Sequence, residues 1–540
     1  MAERGGPHEP LGPARGSKSS KKFTEPKTGV RLKIGASKAG APKVRPDKDR
    51  DPRESKKLRK ERGLRIVQSG TKGIDPTGGP DVVDDIYDCT DMGNYERLAA
   101  RYGHVIRYVP SWHEYIYFKD GYWHRDIAGV HLGRFAKDTV RKIHTEADGV
   151  SDDAKKPFIA WERKSSAAPR LHAMVDLLKS EPNIEVDHTE LDVNRWLFNV
   201  KNGTLDLKTG ERRSHDPKDL ITKRVPVDYN KNAKAPRWNK FLKEILPDAE
   251  VRAFVHRFMG YCLTGDVGER IFVIFLGVGR NGKTAFLNAI QSVMGTYATT
   301  AAPTLLVAKD FDSHPTEVAD LHGARLAVTS ETKKGATFDE ERVKRLTGKD
   351  RLKARRMHED FWHFDPTHKL LLASNHKPRV RDATPSFWDR VAMVPFNFRV
   401  EESKIDLKLD DKFFDEREGL LAWLVEGCLL WQKEGLKRPA AVREATEEYR
   451  EEEDIVGRFF EECCSFDKKS EASETADIMR VNKTWSDGLN LYPISSKEMA
   501  EKLRANGCEP TKTAEGKAAW KGVKLLVKIK LNNGSRPSRR

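Results

Sequence analysis

The stretch Ile271 to Thr284, IFVIFLGVGRNGKT, decides how the rest of this 540-residue chain is read. Ile271 to Leu276 is an apolar run that reads as a buried strand. It passes into a glycine-rich loop with Gly277, Gly282, Lys283 and Thr284 at the spacing G-x-x-x-x-G-K-T. Phe286, Leu287, Ile290, Val293 and Met294 then recur at helical spacing. Strand, loop and helix in that order are the context in which a phosphate-binding loop forms. Small residues let backbone N–H groups close around phosphate oxygens, and the helix start adds a favourable dipole. Gly277, Gly279, Asn281, Gly282, Lys283 and Thr284 are therefore the candidates for binding ATP with Mg²⁺. Lys283 would neutralise the β- and γ-phosphates, and the Thr284 hydroxyl would ligate the metal. The bland alternative is a glycine-rich turn that binds nothing.

Downstream, three more apolar runs read as strands: Leu326 to Thr329, Leu370 to Ala373 and Val391 to Phe396. Four short runs alternating with helical segments predict a parallel sheet covered by helices, with functional residues at the carboxyl ends of the strands. Glu331 and Asn375 stand at such ends. Glu331 is the candidate for activating the attacking water and, with Thr284, for holding Mg²⁺; Asn375 suits the γ-phosphate or the water. Arg390, just before the last run, could serve a neighbouring subunit's nucleotide, although an arginine before a strand is ordinarily structural. Between the second and third runs, Lys344, Lys353, Arg355, Arg356 and His358, with Phe361 and Trp362, fit a hairpin that meets a nucleic-acid backbone. A solvated charged face is the competing reading.

Upstream, Lys119-Asp120-Gly121 lies between apolar runs and signals a hairpin, as do Asn202-Gly203 and Thr209-Gly210. Helical patterns cover Asn94 to Tyr102, Leu132 to His144 and Leu171 to Leu178. Trp112, Tyr115 and Trp123 could stack on bases, but core packing in a small α+β module is the favoured reading. Near the C-terminus a capping box of Ser495 and Glu498 opens a helix, and Val523 to Ile529 reads as a strand after a basic run. That order suggests a winged helix, with a helical cap on the ATPase as the alternative.

The chain carries 98 Lys and Arg against 82 Asp and Glu, a formal +16, which favours a polyanionic partner. Most of the excess falls in the first 72 residues, where Lys, Arg, Pro, Gly and Ser dominate and apolar periodicity is lacking. This is the composition of a disordered arm, which either holds nucleic acid by counterion release or only solubilises. No apolar run approaches the roughly 20 residues of a membrane span, and no apolar core follows the N-terminal charges, so a soluble, cytoplasmic protein is expected. The six cysteines lack C-x-x-C spacing, which argues against a zinc ribbon or a disulfide framework.

Taken together, Gly277 to Thr284, Arg325 to Thr332, KRLTGKDRLKARRMHEDFWHFDPTHKLLLASN and SFWDRVAMVPF resemble the A, B, B′, C and arginine-finger motifs of superfamily 3 DNA helicases. The phage and plasmid primase–helicases, with their poxvirus-type relatives, are the nearest in pattern. DMGNYERLAARYG, YIYFKDGYWHRD, LFNVKNGTLDLKTGE and FMGYCLTGD resemble that family's N-terminal helicase-associated domain. The resemblance covers roughly 84–530. It implies an α/β fold: an AAA+-like P-loop ATPase core over 246–400, a helicase-associated α+β domain over 84–245, a helical segment over 401–455 and a winged-helix-like domain over 456–530. Basic tails over 1–83 and 531–540 flank them. By resemblance Lys283 and Thr284 are the Walker A pair, Glu331 the Walker B acid, Asn375 the sensor and Arg390 the arginine finger. Lys344 through His358 match the DNA-gripping hairpin. The implied protein is an ATP-driven helicase that forms hexameric rings and moves 3′ to 5′ on single-stranded DNA at replication forks of a phage, prophage or plasmid, with a separate primase or polymerase as a further partner. No primase domain is expected before Asp84. A replication initiator or loader that unwinds little, and a P-loop small-molecule kinase, are the other readings.

Overall fold

The computed structural model describes residues 87–308, 316–330, 335–356, 360–380, 384–467, 472–489 and 491–526. The two basic tails, Glu331 and His358 lie outside the described residues.

Helix α1 (Asp91–Tyr102) starts where the Thr90 hydroxyl accepts the Gly93 N–H at 3.0 Å. The antiparallel strands β1 (Ile106–Val109), β2 (Glu114–Lys119) and β3 (Tyr122–Arg125) follow in that spatial order. Asp120 and Gly121 join β2 to β3 with φ of 52° and 86°, as a two-residue hairpin with right-handed strand twist requires. Helices α2 (Val130–Arg141), α3 (Asp152–Ser165) and α4 (Ala168–Leu178) complete this module. Its core holds Leu98, Ile106, Tyr115, Phe158 and Met174. Arg97 reaches into it and is matched by Glu146 through hydrogen bonds of 2.7 and 2.8 Å, so the buried charge is paired.

A second antiparallel sheet, β4 (Leu197–Val200), β5 (Gly203–Asp206) and β6 (Glu211–Arg213), turns at the two sites read from sequence. Phe198, Val200 and Leu205 pack with α5 (Pro236–Ile245) and α6 (Ala249–Tyr261), and the same core continues into Ile271, Val273 and Phe275. That core crosses the 245/246 boundary drawn from the sequence.

The central layer follows: β7 (Phe272–Leu276), α7 (Lys283–Met294), β8 (Ala298–Ala301), α8 (Thr316–Ala319), β9 (Leu326–Ser330), α9 (Glu340–Leu346), a small hairpin of β10 (Leu352–Ala354) and β11 (Trp362–Phe364), β12 (Lys369–Ser374), α10 (Pro385–Trp388) and β13 (Val391–Pro395). Five strands form an all-parallel sheet in the order β13-β7-β12-β9-β8. Val273 and Phe275 face one core while Phe272 and Ile274 face another. Burial on both faces is why these strands read as unbroken apolar runs. The four strands expected from sequence are present, and β8 adds an edge.

Helices α11 (Leu409–Asp415), α12 (Arg417–Glu434) and α13 (Ala440–Glu453) flank the sheet. Here α12 meets α6 backbone to backbone: a Cβ on Gly260 would lie 2.0 Å from the Cys428 nitrogen, and one on Gly427 2.3 Å from the His256 carbonyl oxygen. Only glycine permits that approach. The C-terminal unit runs α14 (Ile455–Cys463), β14 (Cys464–Phe466), β15 (Ser473–Glu474), α15 (Thr475–Gly488), α16 (Ser496–Ala505), β16 (Glu509–Lys512), β17 (Ala518–Lys521) and β18 (Val523–Leu525). Its sheet is ordered β15-β17-β16, with β14 paired to β18, over a separate core of Phe459, Ile478, Leu503 and Trp520. Ser495 caps α16 by accepting the Glu498 N–H at 3.2 Å. Among the described residues no helix is long and apolar enough to cross a membrane, and all six cysteines are free thiols.

Candidate nucleotide site and nucleic-acid hairpin

At the carboxyl end of β7 the chain turns from Gly277 to Gly282 and starts α7 at Lys283. Two glycines are required by geometry. A Cβ on Gly277 would lie 2.3 Å from the Phe396 carbonyl oxygen, and Gly282 has φ +82° with Ile245 packed 2.6 Å from where its Cβ would be. Asn281 is buried and braces the loop: its Nδ2 donates to the Phe396 carbonyl at 3.4 Å and its Oδ1 accepts the Lys283 N–H at 3.5 Å. Lys283 is only 6% exposed. Its ammonium donates to the Gly277 carbonyl and, at 3.1 Å, to Asn375 Oδ1, which also accepts the Gly279 N–H at 3.4 Å.

Asn375 reaches the loop because β12 lies beside β7 in parallel register, with Ser374 opposite Leu276. Thr284 is exposed in the first turn of α7. A groove of about 650 Å³ opens alongside, lined by Gly277, Val278, Asn375, Lys377, Arg379 and Glu453. Lys377 and Arg379 were not singled out in the sequence, although they follow Asn375 directly. Lys377 is held by Glu452 at 2.7 Å, and burial raises the Glu453 carboxyl above its usual range.

Arg390 lies at the opposite, amino edge of the sheet. It precedes β13, whose five residues rise about 16 Å toward the loop. Its guanidinium donates to the Thr347 hydroxyl at 3.2 Å and is half-buried, and burial together with nearby Arg270 pulls its pKa below the ordinary value. Arg390 is therefore out of reach of the loop in its own chain.

Strands β10 and β11 pair antiparallel with Lys353 opposite His363. Leu352, Ala354 and Phe364 point into the core, so Lys353 points out. Toward the tip, Lys353 and Arg355 lie 4.4 and 4.8 Å from the ring of Phe361, which is 50% exposed. Arg356 covers Trp362 at 5.8 Å. Lys344 stands apart, on α9. The expected hairpin exists, with cations and aromatic rings together at its tip. Its return strand leads through 365–368 into β12, the strand that Asn375 follows.

Two cations at the amino edge have the opposite character. Lys369, the first residue of β12, is 3% exposed and donates to the Thr264, Asp266 and Thr367 carbonyls. Burial pulls its pKa from 10.5 to about 7. Arg325, before β9, donates to the carbonyls of Leu263 and Leu197 and lies 4.6 Å from the Tyr297 ring. They tie the sheet to the segments before it.

Residues 95–247 match the family described as "D5 N terminal like", and residues 275–390 match a family of unknown function, DUF5906. The chain is 27% identical over 293 residues to the provisionally named helicase L207/L206 of Acanthamoeba polyphaga mimivirus, covering 50% of this chain and 30% of that protein. It is 23% identical over 376 residues to the provisionally named primase C962R of African swine fever virus, covering 63% and 38%. The chain thus spans less than two-fifths of either relative. Among solved structures, the apo C-terminal region of NrS-1 superposes with a TM-score of 0.42 at 10% identity, over 80% of this chain and all of that one. The sequence matches bear out the resemblance to primase–helicases of the superfamily 3 type.

Proposed function

We propose that this chain is an ATP-hydrolysing DNA helicase of the primase–helicase type, acting as a ring on single-stranded DNA in replication. The observation that carries the reading is the shared strand: β12 follows the basic hairpin after the four residues 365–368 and leads directly into Asn375, which contacts Lys283. A change at the nucleotide would thereby reach the hairpin through the six residues of β12, about 20 Å of strand, and the short connection 365–368.

In this reading the Gly277–Gly282 loop and the start of α7 hold the phosphates through backbone N–H groups, and Lys283 neutralises them. The loop fits such an anion, since a Cβ at Gly277 or Gly282 has no room and Thr284 presents its hydroxyl at the helix start. Thr284 and Glu331 would hold Mg²⁺, which when bound neutralises charge on the β- and γ-phosphate oxygens. Asn375 holds the attacking water or the γ-phosphate, and Glu331 orients that water. Arg390, about 16 Å from its own loop along β13, serves the neighbouring subunit's nucleotide. Lys353, Arg355 and Arg356 grip the DNA backbone. The helix and strand order of the C-terminal unit supports a winged helix that recruits DNA. The provisional names of the relatives support helicase or primase chemistry in general.

The test is steady-state ATP hydrolysis without DNA, with single strands and with duplex, repeated for Lys283→Ala. Strong stimulation by single strands, lost in the variant, is expected. Hydrolysis indifferent to DNA would sink the motor and favour an assembly switch or another substrate.

A further inference from the structure

The β2–β3 hairpin carries rings that no step above uses. Tyr117 lies opposite His124 in the strand register, their centroids 5.2 Å apart at 16°, and His131 at the start of α2 stacks on Tyr117 at 4.0 Å and 16°. His124 meets Tyr122 at 3.7 Å, and the Arg224 guanidinium lies 5.5 Å from the Tyr122 ring. All four rings are half-buried, and neither tyrosine belongs to the cores flanking this sheet. They form a ladder at the surface.

The charge around the ladder favours an anion. Lys119 and Arg134 are exposed beside it, and among the described residues Arg224 Nε has no hydrogen-bond partner. Of the nearby acids, Asp126 is spent on the His131 and Leu132 N–H groups at 2.9 and 2.8 Å, which leaves the exposed Asp120. The ladder is also continuous with the basic hairpin. Arg224 is anchored through its N–H to the Thr296 hydroxyl at 2.7 Å, and Lys223 packs on Gly323. The neighbouring His322 ring meets Trp362 of β11 at 4.7 Å. Burial, with Lys223 and Arg356 close by, holds His322 near pKa 4, so it is a neutral ring in that line. Arg356, Trp362, His322 and Lys223 thus lie together, and the chain carries on from Lys223 to Arg224, whose guanidinium meets Tyr122.

We propose that the Tyr117–Tyr122–His124–His131 ladder is a second contact for single-stranded DNA, stacking bases of the strand that leaves the β10–β11 hairpin. Every base offers a ring face, so such a platform holds a moving strand without reading its sequence. The inference rests on the DNA-motor reading and adds a partner surface to it.

The experiment uses the full chain and oligodeoxynucleotides carrying 5-iododeoxyuridine at successive positions, irradiated in complex and mapped by peptide. Labelling of Tyr117 or Tyr122 is expected from positions displaced along the strand from those that label Phe361 or Trp362. In parallel, Tyr122→Leu with His131→Leu should weaken binding of long oligothymidylates roughly tenfold, the loss of one base stack, and leave oligomers that cover only the hairpin unchanged. Tyr122→Trp should retain binding, which separates lost stacking from misfolding. Labels confined to the hairpin, or unchanged affinity in the double variant, overturn the ladder alone. An unaltered protein that binds no single strand of any length fails the proposed function and this inference with it.

Discussion

Two buried lysines stand at opposite ends of one sheet, and their surroundings assign them different work. Lys283, at the carboxyl edge, is 6% exposed and shares a loop with glycines, exposed backbone and the Asn375 carboxamide. Lys369, at the amino edge, is 3% exposed and is consumed by three backbone carbonyls. Burial alone therefore does not mark a site. What sets Lys283 apart is its place beside a glycine loop with exposed backbone, where the proposed phosphate would sit. Lys369 is enclosed by oxygens that accept a cation and have no use for a phosphate.

The largest effect that tests this contrast is Lys283→Ala, which should reduce ATP turnover to background while the thermal transition of the protein stays in place. If unfolding shifts instead, Lys283 belongs with Lys369. Next in size, Arg390→Ala should keep nucleotide binding but lose about 10³-fold in turnover, with partial recovery when its subunits are mixed with Glu331→Gln subunits. No recovery in rings shown to be mixed removes the cross-subunit role.

Lys369→Ala should cost on the order of 3 kcal/mol of stability in denaturant titrations, since it strands buried carbonyls, while the fraction still folded binds nucleotide normally. The smallest effect is in pH. The folded pKa of Lys369 lies near 7, below the unfolded value, so the unfolded chain binds more protons between 7 and 10.5. Stability should rise with pH from 7 toward 9 relative to a Lys369→Met variant. A flat difference would show that Lys369 keeps its ordinary pKa.

The sequence disclosed the sheet because its strands are covered on both faces and must be apolar throughout. It missed β8, whose Ala298-Thr299-Thr300-Ala301 sits at the edge with only its last residue buried. It missed α3 as well, where Pro157 and charged residues mask the stripe of Phe158 and Trp161. The loop Gly277 to Thr284 was legible because it lies within eight consecutive residues, and Asn375 because it closes an apolar run. The other groove residues depend on how 375–380 folds back beside the loop, which spacing does not reveal. Tyr115 and Trp123 are core, as expected, whereas Trp112 is half-exposed under Arg125. The ladder could have been read: a two-residue turn at Asp120-Gly121 puts Tyr117 opposite His124 by counting alone. Lys369 could not, because two of its three carbonyl partners come from residues a hundred positions away.

That cage bears on how force crosses the molecule. Strand β12 is clasped at its first residue by the Lys369 ammonium, paired on both flanks with β7 and β9, and tied at its far end to Lys283 and the Gly277–Gly282 loop through Asn375. Sliding by one residue would drive the Lys369 charge toward the place of Leu370 and turn its neighbours to the wrong cores. The strand is thus fixed in register at both ends, and in the proposed motor it would serve as a connecting rod, joined to the hairpin by the four residues 365–368.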